Sequence, residues 1–385
     1  MRILYHHRTR ATDAQRVHIR EMVGAFRSLG HEVEIASLVD TEAGQGDAAG
    51  EAKEAGWKKL ARRLPLVSEL VQLGYNLAGL PMLVWKMHRW DPDLVYERYS
   101  LFNFSGVLAG RLCGKPVMLE VNSPLALEQH QDGDIRAFRT ARWSERVIAN
   151  AATRVFVVSS PLRRMMIENG VEASKLALMP NGVNRDRFRR GEAGELRSSL
   201  GLEGKTVIGF VGWFKAWHGV ELLLKAFDEA GLAGRGAALL LVGDGPAMPA
   251  VRRYVEDRGL GGDVVLTGPA PHERIPAYLD LIDIAVQPAA NAYCCPVKIL
   301  EYMALGKAIV APRQENIQDL LEDGMTARLF TPGEAGSLGR ALRSLADDPA
   351  EGKRLGARAA ESIERRRLLW TANAEGVLGA VEGTT

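Results

Sequence analysis

The chain alternates short apolar runs with amphipathic helical patterns, and it does so in two successive blocks. Residues 2–5 read as a short buried strand. Residues 13–29 carry Val17, Ile19, Met22, Val23 and Phe26 at helical spacing, and Gly30 stops that helix. Residues 31–38 then alternate like a second strand. A strand, a helix-length crossover and a strand imply parallel pairing, because a tight hairpin joins only antiparallel neighbours. The first block continues with strands predicted at 94–96, 116–121 and 154–158. A helix over roughly 125–151 lies between the last two. Residues 57–90 read as mostly helical, interrupted at Pro65 and Pro81, and Ser159 is placed as the N-cap of a helix ending at Gly170. The second block has predicted strands at 207–211, 237–242, 264–266, 282–287 and 308–311, then helices from 336 to about 381. The expectation is an α/β chain of two Rossmann-like parallel-sheet domains facing across a cleft, split near residues 184–206. Open α/β sheets bind ligands beyond the carboxyl ends of their strands, so the cleft is the expected site.

The length of 385 residues suits two domains at about 150 residues each. A hydrophobic fraction of 46% is enough for substantial cores without disulfide or metal staples. Lys plus Arg is 49 against 47 for Asp plus Glu, so nothing global draws the chain to nucleic acid and no nucleic-acid partner is expected. The cysteines are Cys113, Cys294 and Cys295, with no zinc spacing, which fits a reducing cytoplasm. The opening MRILYHH lacks a signal-peptide pattern, and no apolar run approaches the length of a membrane span. Residues 40–56 are small, acidic and Gly/Ala-rich, and read as a mobile insertion. The stretch Trp57-Lys58-Lys59-Leu60-Ala61-Arg62-Arg63-Leu64 has two readings, a basic amphipathic segment lying on a membrane surface or an ordinary solvated helix face.

Three stretches carry chemistry. Gly209-Phe210-Val211-Gly212-Trp213-Phe214-Lys215-Ala216-Trp217-His218-Gly219 joins a strand to a helix, and Lys215 and His218 fall where a bound phosphate would lie. An ammonium offers three donors to such a group; the plainer reading of Lys215 is a solvated loop lysine. Gly243-Asp244-Gly245-Pro246 follows the apolar run ALLLV. Glycines there let a backbone approach an anion at a helix N-terminus, or simply make a turn. A dinucleotide fingerprint wants glycine at position 248, which is Met248, and the first strand lacks the fingerprint too, so a nicotinamide dehydrogenase is not expected. The most specific stretch runs from Cys295 through Pro296, Lys298, Glu301 and Gly306 to Ala311. Pro296 suits the start of a helix, and Lys298 and Glu301, three apart, share its face. The carboxylate can clamp a ribose diol while the lysine neutralises a diphosphate; the plainer reading is a surface ion pair.

In combination these residues resemble the retaining, nucleotide-sugar-dependent glycosyltransferases of family 4 (group 1), with the GT-B fold. The resemblance adds Val157-Val158-Ser159-Ser160, Pro180-Asn181-Gly182-Val183-Asn184 with Phe188, and Leu266-Thr267-Gly268. It rests most heavily on Leu300-Glu301-Tyr302-Met303-Ala304-Leu305-Gly306-Lys307, which matches the second half of the family's Glu-x7-Glu motif. The order and spacing agree over residues 155–330, and more loosely before them. It implies an acceptor-side domain over 1–186, a nucleotide-sugar-binding domain over 187–365 and a final helix over 366–385 crossing back to the first. Lys215 and Lys298 would then be catalytic, with Asn122 at the place of the family's active-site histidine. Gly212, His218, Gly268, Tyr293, Val297 and Glu301 would bind the donor, Glu301 on the ribose and the amides around Val297 on the phosphates. His7, Arg8 and His18 are further candidates to face the acceptor, His18 having the plainer reading of a packed helix histidine.

Departures from the family pattern accompany these matches. Tyr293 stands where the first Glu of Glu-x7-Glu belongs, Trp213 where an arginine is usual, and His218 where a lysine is usual. A phosphate contact by His218 would weaken as the histidine deprotonates with rising pH. The resemblance implies transfer of a hexosyl group from a nucleoside-diphosphate sugar, UDP- or GDP-linked, to a hydroxyl of a glycan, glycolipid or small molecule. No metal or other cofactor is expected, and the enzyme would be cytoplasmic, with or without contact to the membrane's cytoplasmic face. The alternatives are a GT-B-shaped nucleotide-sugar 2-epimerase and a catalytically inactive nucleotide-sugar-binding subunit.

Overall fold

The computed structural model describes residues 1–8, 13–38, 65–188 and 194–383. The readings of 40–56 as a mobile insertion and of Trp57–Leu64 as a basic amphipathic segment lie outside them. The chain forms two compact units. One is Met1–Pro180 with Trp370–Thr385, and the other is Asn181–Leu369.

The first unit runs β1 (Arg2–His6), α1 (Asp13–Ser28), β2 (Glu32–Ala36), α2 (Pro65–Trp90), β3 (Leu94–Arg98), α3 (Ser105–Cys113) and β4 (Val117–Val121). It continues with α4 (Leu125–Gln131), α5 (Phe138–Ala151), β5 (Arg154–Val157), α6 (Ser160–Glu168) and β6 (Leu176–Leu178). The strands form one parallel sheet in the order β2-β1-β3-β4-β5-β6. Ile3, Tyr5, Met22, Phe26 and Tyr96 build the core on one face. The chain's last helix (Trp370–Glu382) packs into that core through Trp370, Ala374 and Val377. Each large apolar side chain so buried stabilises the fold by about 1.5–3 kcal/mol.

Three local differences from the sequence reading have simple causes. Pro81 does not interrupt α2. Pro81 and Leu77, whose carbonyl loses its donor, are both exposed, so water can take that bond. The single helix expected over 125–151 is two, because Gly133 takes a left-handed conformation (φ 77°) just after α4. The short edge strand β6 was not foreseen, being only three residues long. Ser159 does cap α6, its hydroxyl accepting from the Leu162 amide at 3.2 Å.

The second unit runs α7 (Gly194–Ser199), β7 (Thr206–Val211), α8 (Val220–Glu229), β8 (Ala237–Val242), α9 (Met248–Asp257), β9 (Val264–Gly268), α10 (Ile275–Leu281) and β10 (Ile284–Val286). There follow α11 (Val297–Ala304), β11 (Ala308–Pro312), α12 (Glu315–Gln318), β12 (Arg328–Phe330), α13 (Ala335–Asp347) and α14 (Pro349–Arg365). Its parallel sheet has the order β12-β11-β10-β7-β8-β9. Every residue of β8 is buried, which is why that strand reads as an unbroken apolar run. Strand order reverses between β7 and β10 here, and between β1 and β3 in the first unit. Those are the switch points where an open α/β sheet leaves a crevice beyond its strand ends.

Candidate functional site

At the switch point of the second unit, β7 ends at Val211 and β10 at Val286, on neighbouring strands. The loop after β7 begins at Gly212, whose φ of 150° suits glycine alone. A Cβ on Gly212 would fall 2.4 Å from Lys298 Cε and 2.9 Å from Lys298 Nζ. Lys298 therefore lies across the bare backbone of that glycine, and its ammonium stands 5.3 Å from the centre of the Phe210 ring.

Lys298 belongs to the first turn of α11. Pro296 caps that helix without a side-chain hydrogen bond, so its first amides depend on an outside acceptor. An anion is the natural partner of such a helix end. Glu301 sits three residues on, on the same face as Lys298. Burial pulls the Lys298 ammonium below its usual pKa, against the opposing pull of Glu301 and Cys294.

His218 closes the loop. Its Nδ1 donates to the Trp213 carbonyl, which fixes the tautomer, since a carbonyl only accepts. Burial first, then Lys298 and Lys215, push its pKa down to about 4, the bond to the Trp213 carbonyl opposing them. His218 is thus a neutral imidazole near pH 7, and the expected loss of phosphate contact with rising pH belongs to the acid range instead. Lys215 is exposed, its ammonium 4.6 Å from the centre of the Trp217 ring. Two lysines that disfavour a proton on His218 mark a positive field, which suits an anion.

Gly243 and Gly245 serve this loop rather than a ligand. A Cβ on Gly243 would lie 1.9 Å from the Gly212 carbonyl oxygen, and one on Gly245 2.7 Å from the Phe214 nitrogen. The amide of Phe214 donates to Asp244 O at 2.7 Å, and that of Gly243 to Gly268 O at 2.9 Å. The loops after β7, β8 and β9 are therefore one knitted surface, with Gly268 (φ 72°) on its outer strand. Tyr293 lies on the loop before α11, half-buried, its hydroxyl accepting from Asn291 Nδ2 at 3.3 Å.

So the structure brings Gly212, Lys215, His218, Tyr293, Val297, Lys298 and Glu301 onto two adjoining loops and one helix end of the second unit. Asn122 belongs to the first unit, just past β4. Its side-chain amide donates to Glu120 Oε1. A carboxylate only accepts, so Nδ2 faces Glu120 and Oδ1 faces away. Glu120 also accepts from the Tyr96 hydroxyl at 2.5 Å and from Arg98 Nη1 at 3.0 Å. Burial would raise its carboxyl, but His18, Arg98 and the bonds from Tyr96 and Asn122 outweigh it and hold it below the usual carboxylate range. His18 is buried, 4.5 Å from Trp370 ring to ring, in agreement with its packed reading. His7 is buried as well, while Arg8 donates to the Gln72 and Leu101 carbonyls. Sequence reasoning missed Glu97, Arg98 and Glu120. The signal was there: charged residues inside the strand runs LVYER and VMLEV, where an all-buried strand should be apolar.

Among the described residues, no group of three or more His, Cys, Asp or Glu side chains is placed to hold a metal. No helix among them is long and apolar enough to cross a membrane.

Comparison with known families decides what this geometry belongs to. The family model described as "Glycosyl transferases group 1" matches residues 205–348, and that described as "Glycosyl transferase 4-like domain" matches residues 14–182. The chain belongs to the group 1, family 4 glycosyltransferases. This glycosyltransferase is 28% identical to the alpha-D-kanosaminyltransferase of Streptomyces kanamyceticus, over 67% of its own length and 68% of that protein's. It is also 28% identical to the 2-deoxystreptamine N-acetyl-D-glucosaminyltransferase of Streptomyces fradiae, over 78% and 77%. Its fold is that of Anabaena HepE, solved in complex with UDP, with a TM-score of 0.74 over the whole of both chains at 18% identity. The expected GT-B class is thus borne out, and the epimerase alternative finds no support among these relatives.

Proposed function

We propose that the enzyme transfers a hexosyl group, with retention at the anomeric carbon and without a metal, from a nucleoside-diphosphate sugar to a hydroxyl acceptor. One observation carries the reading: Lys298 is laid over Gly212 at the start of α11, one helical turn from Glu301. That arrangement provides a cation and free amides for a diphosphate beside a carboxylate for a ribose. Lys215, Lys298 and the amides at Val297 stabilise the charge that grows on the departing diphosphate. Glu301 accepts from the ribose hydroxyls, and backbone groups around Gly268 border the base. The departing phosphate takes the proton of the acceptor hydroxyl. In the first unit, Asn122 with its outward Oδ1 is the candidate acceptor-side group. HepE, of the same fold, is solved with UDP, which favours UDP over GDP as the donor nucleotide. The name of the Streptomyces fradiae relative points to a ring bearing several hydroxyl and amino groups as the acceptor class.

The test is nucleotide binding by wild type and Glu301→Ala, read as a shift in thermal midpoint with UDP, GDP, ADP and TDP, each with and without a chelator. A ligand at about 100 times its dissociation constant adds roughly 2.7 kcal/mol to the folded state. One nucleotide shifting wild type alone, chelator present or not, supports the reading. A folded wild type that responds to none of them overturns it.

A further inference from the structure

The segment 287–296, between β10 and α11, forms neither helix nor strand. Loop carbonyls of this kind ordinarily turn to water. Here side-chain amides hold them. Ala289 O accepts from Gln287 Nε2 at 2.6 Å, and Ala290 O from Gln314 Nε2 at 3.3 Å. Asn316 Nδ2 reaches two carbonyls, those of Asn291 at 3.0 Å and Cys294 at 2.8 Å. Cys295 O accepts from Asn181 Nδ2 at 2.8 Å, and the Asn181 backbone amide meets Cys295 Sγ at 3.3 Å.

These four carboxamides come from separate parts of the second unit: the turn at its start, the end of β10, and the connection from β11 into α12. Gln287 is 2% exposed and Asn316 1%. Their orientation is settled by chemistry, because only the NH2 end can face a carbonyl. Gln287 Oε1, Gln314 Oε1 and Asn316 Oδ1 are consequently left buried without a hydrogen-bond partner. Unpaired buried acceptors work against stability, so the bonds gained at the NH2 ends serve something other than a maximally stable fold. What they hold is the backbone that carries Tyr293 and leads into the first amides of α11. The same backbone lies against the phosphate loop, since a Cβ on Gly219 would fall 2.9 Å from Ala289 Cβ.

We propose that Asn181, Gln287, Gln314 and Asn316 are positioning residues, which fix the 289–295 backbone in the one conformation that presents Tyr293 and the start of α11 to the donor's sugar and phosphates. The inference rests on the donor-site reading above. With the carbonyls tied down on the buried side, the loop cannot turn one of them toward the diphosphate, where it would repel. The base side of the site, around Gly268, is outside this cradle.

Asn316→Asp tests it, because it keeps the shape and replaces the twofold donor by an acceptor facing two carbonyls. The probes are UDP or GDP, whichever wild type binds, and the corresponding monophosphate, with hydrolysis of the donor sugar as the activity readout. The expected result is about tenfold weaker diphosphate binding, monophosphate binding within about twofold of wild type, and about a hundredfold lower kcat, the usual scale for reactive groups misplaced by about an ångström. A merely structural role would weaken both nucleotides together, in step with the thermal midpoint, and that result overturns the proposal. So does wild-type affinity and turnover in the variant. Should Asn316→Asp not fold, Gln314→Met removes a single, half-exposed donor and should show the same diphosphate-over-monophosphate selectivity at smaller size; equal loss, or none, overturns it. A wild type that binds no nucleoside diphosphate overturns the donor reading itself and this proposal with it.

Discussion

Lys298 and Gly212 occupy one another's space: the lysine stem runs where a side chain at 212 would be, 2.4 Å from that position to Lys298 Cε. Gly212→Ala must therefore displace the lysine as well as strain a backbone at φ 150°. Such strain costs about 1–3 kcal/mol. Gly259→Ala is the matched control: it follows α9, away from the donor loops, and is strained at φ 64° but with open space around its Cβ. Urea unfolding should show a similar loss for both variants. Calorimetry with the nucleoside diphosphate should show about tenfold or greater weakening for Gly212→Ala alone.

His218 makes the second prediction one of pH. Its folded pKa of about 4 lies below the 6.5 of an ordinary histidine, so the unfolded chain binds more protons between those values. Stability is then full above about pH 6.5 and falls as the pH drops toward 4. His218→Gln should flatten that slope in unfolding curves taken across the range. A bound diphosphate brings negative charge to the imidazole, so nucleotide binding below pH 6 should be accompanied by proton uptake, seen as a buffer-dependent heat that the variant lacks.

Glu145, on α5 in the first unit, gives the opposite sign. Burial pushes its carboxyl up from 4.5 to about 7, against the nearby Ala126 amide and Tyr99 hydroxyl, the charge of Arg142 and the hydrogen bond from Asn169 Nδ2 at 3.1 Å. The folded state holds a proton that the unfolded chain releases, so stability is full below about pH 4.5 and is lost as the pH rises through 7. Glu145→Gln keeps the neutral form at every pH. It should match wild type at pH 4.5 and exceed it at pH 8 by about 3 kcal/mol, on the scale of 1.36 kcal/mol per unit.

The fold was legible because both sheets are parallel and covered: buried strands such as β8 read as apolar runs, and the helices between them as periodic ones. The residues of the second unit's candidate site could be picked out in the same way, since Gly212, Lys298 and Glu301 lie at fixed offsets from β7, β10 and α11. What the sequence hides is pairing across distance. Nothing in the run around Asn316 says that its amide spans two carbonyls of a loop more than twenty residues earlier. Glu120 likewise gathers Tyr96, Arg98 and Asn122 only after β3 and β4 pair. The glycines of 243–246 were recognised as special, but their reason, close approach to the backbone of 212–214, is a tertiary one.

Glu120 and Asn122 allow stability and catalysis to be separated at neighbouring positions. Glu120 is buried and compensates the Arg98 guanidinium, so Glu120→Gln leaves that cation without its charge partner. Breaking one side of such a pair costs about 3–5 kcal/mol, and the thermal midpoint should fall by many degrees. Asn122→Ala removes only one of the donors to Glu120, from a partly exposed position, so the fold should lose about 1 kcal/mol. If Oδ1 of Asn122 receives the acceptor hydroxyl, that same variant should lower the rate of transfer to acceptor by about tenfold to a hundredfold while donor affinity stays at wild type. Asn122→Asp puts a second carboxylate against Glu120, and the two cannot both stay ionised. That variant should be destabilised at pH 8 and recover as the pH falls and the pair takes up a proton. Equal transfer rates in Asn122→Ala and wild type would remove Asn122 from the acceptor side and leave Glu120 a purely structural anchor of β3 to β4.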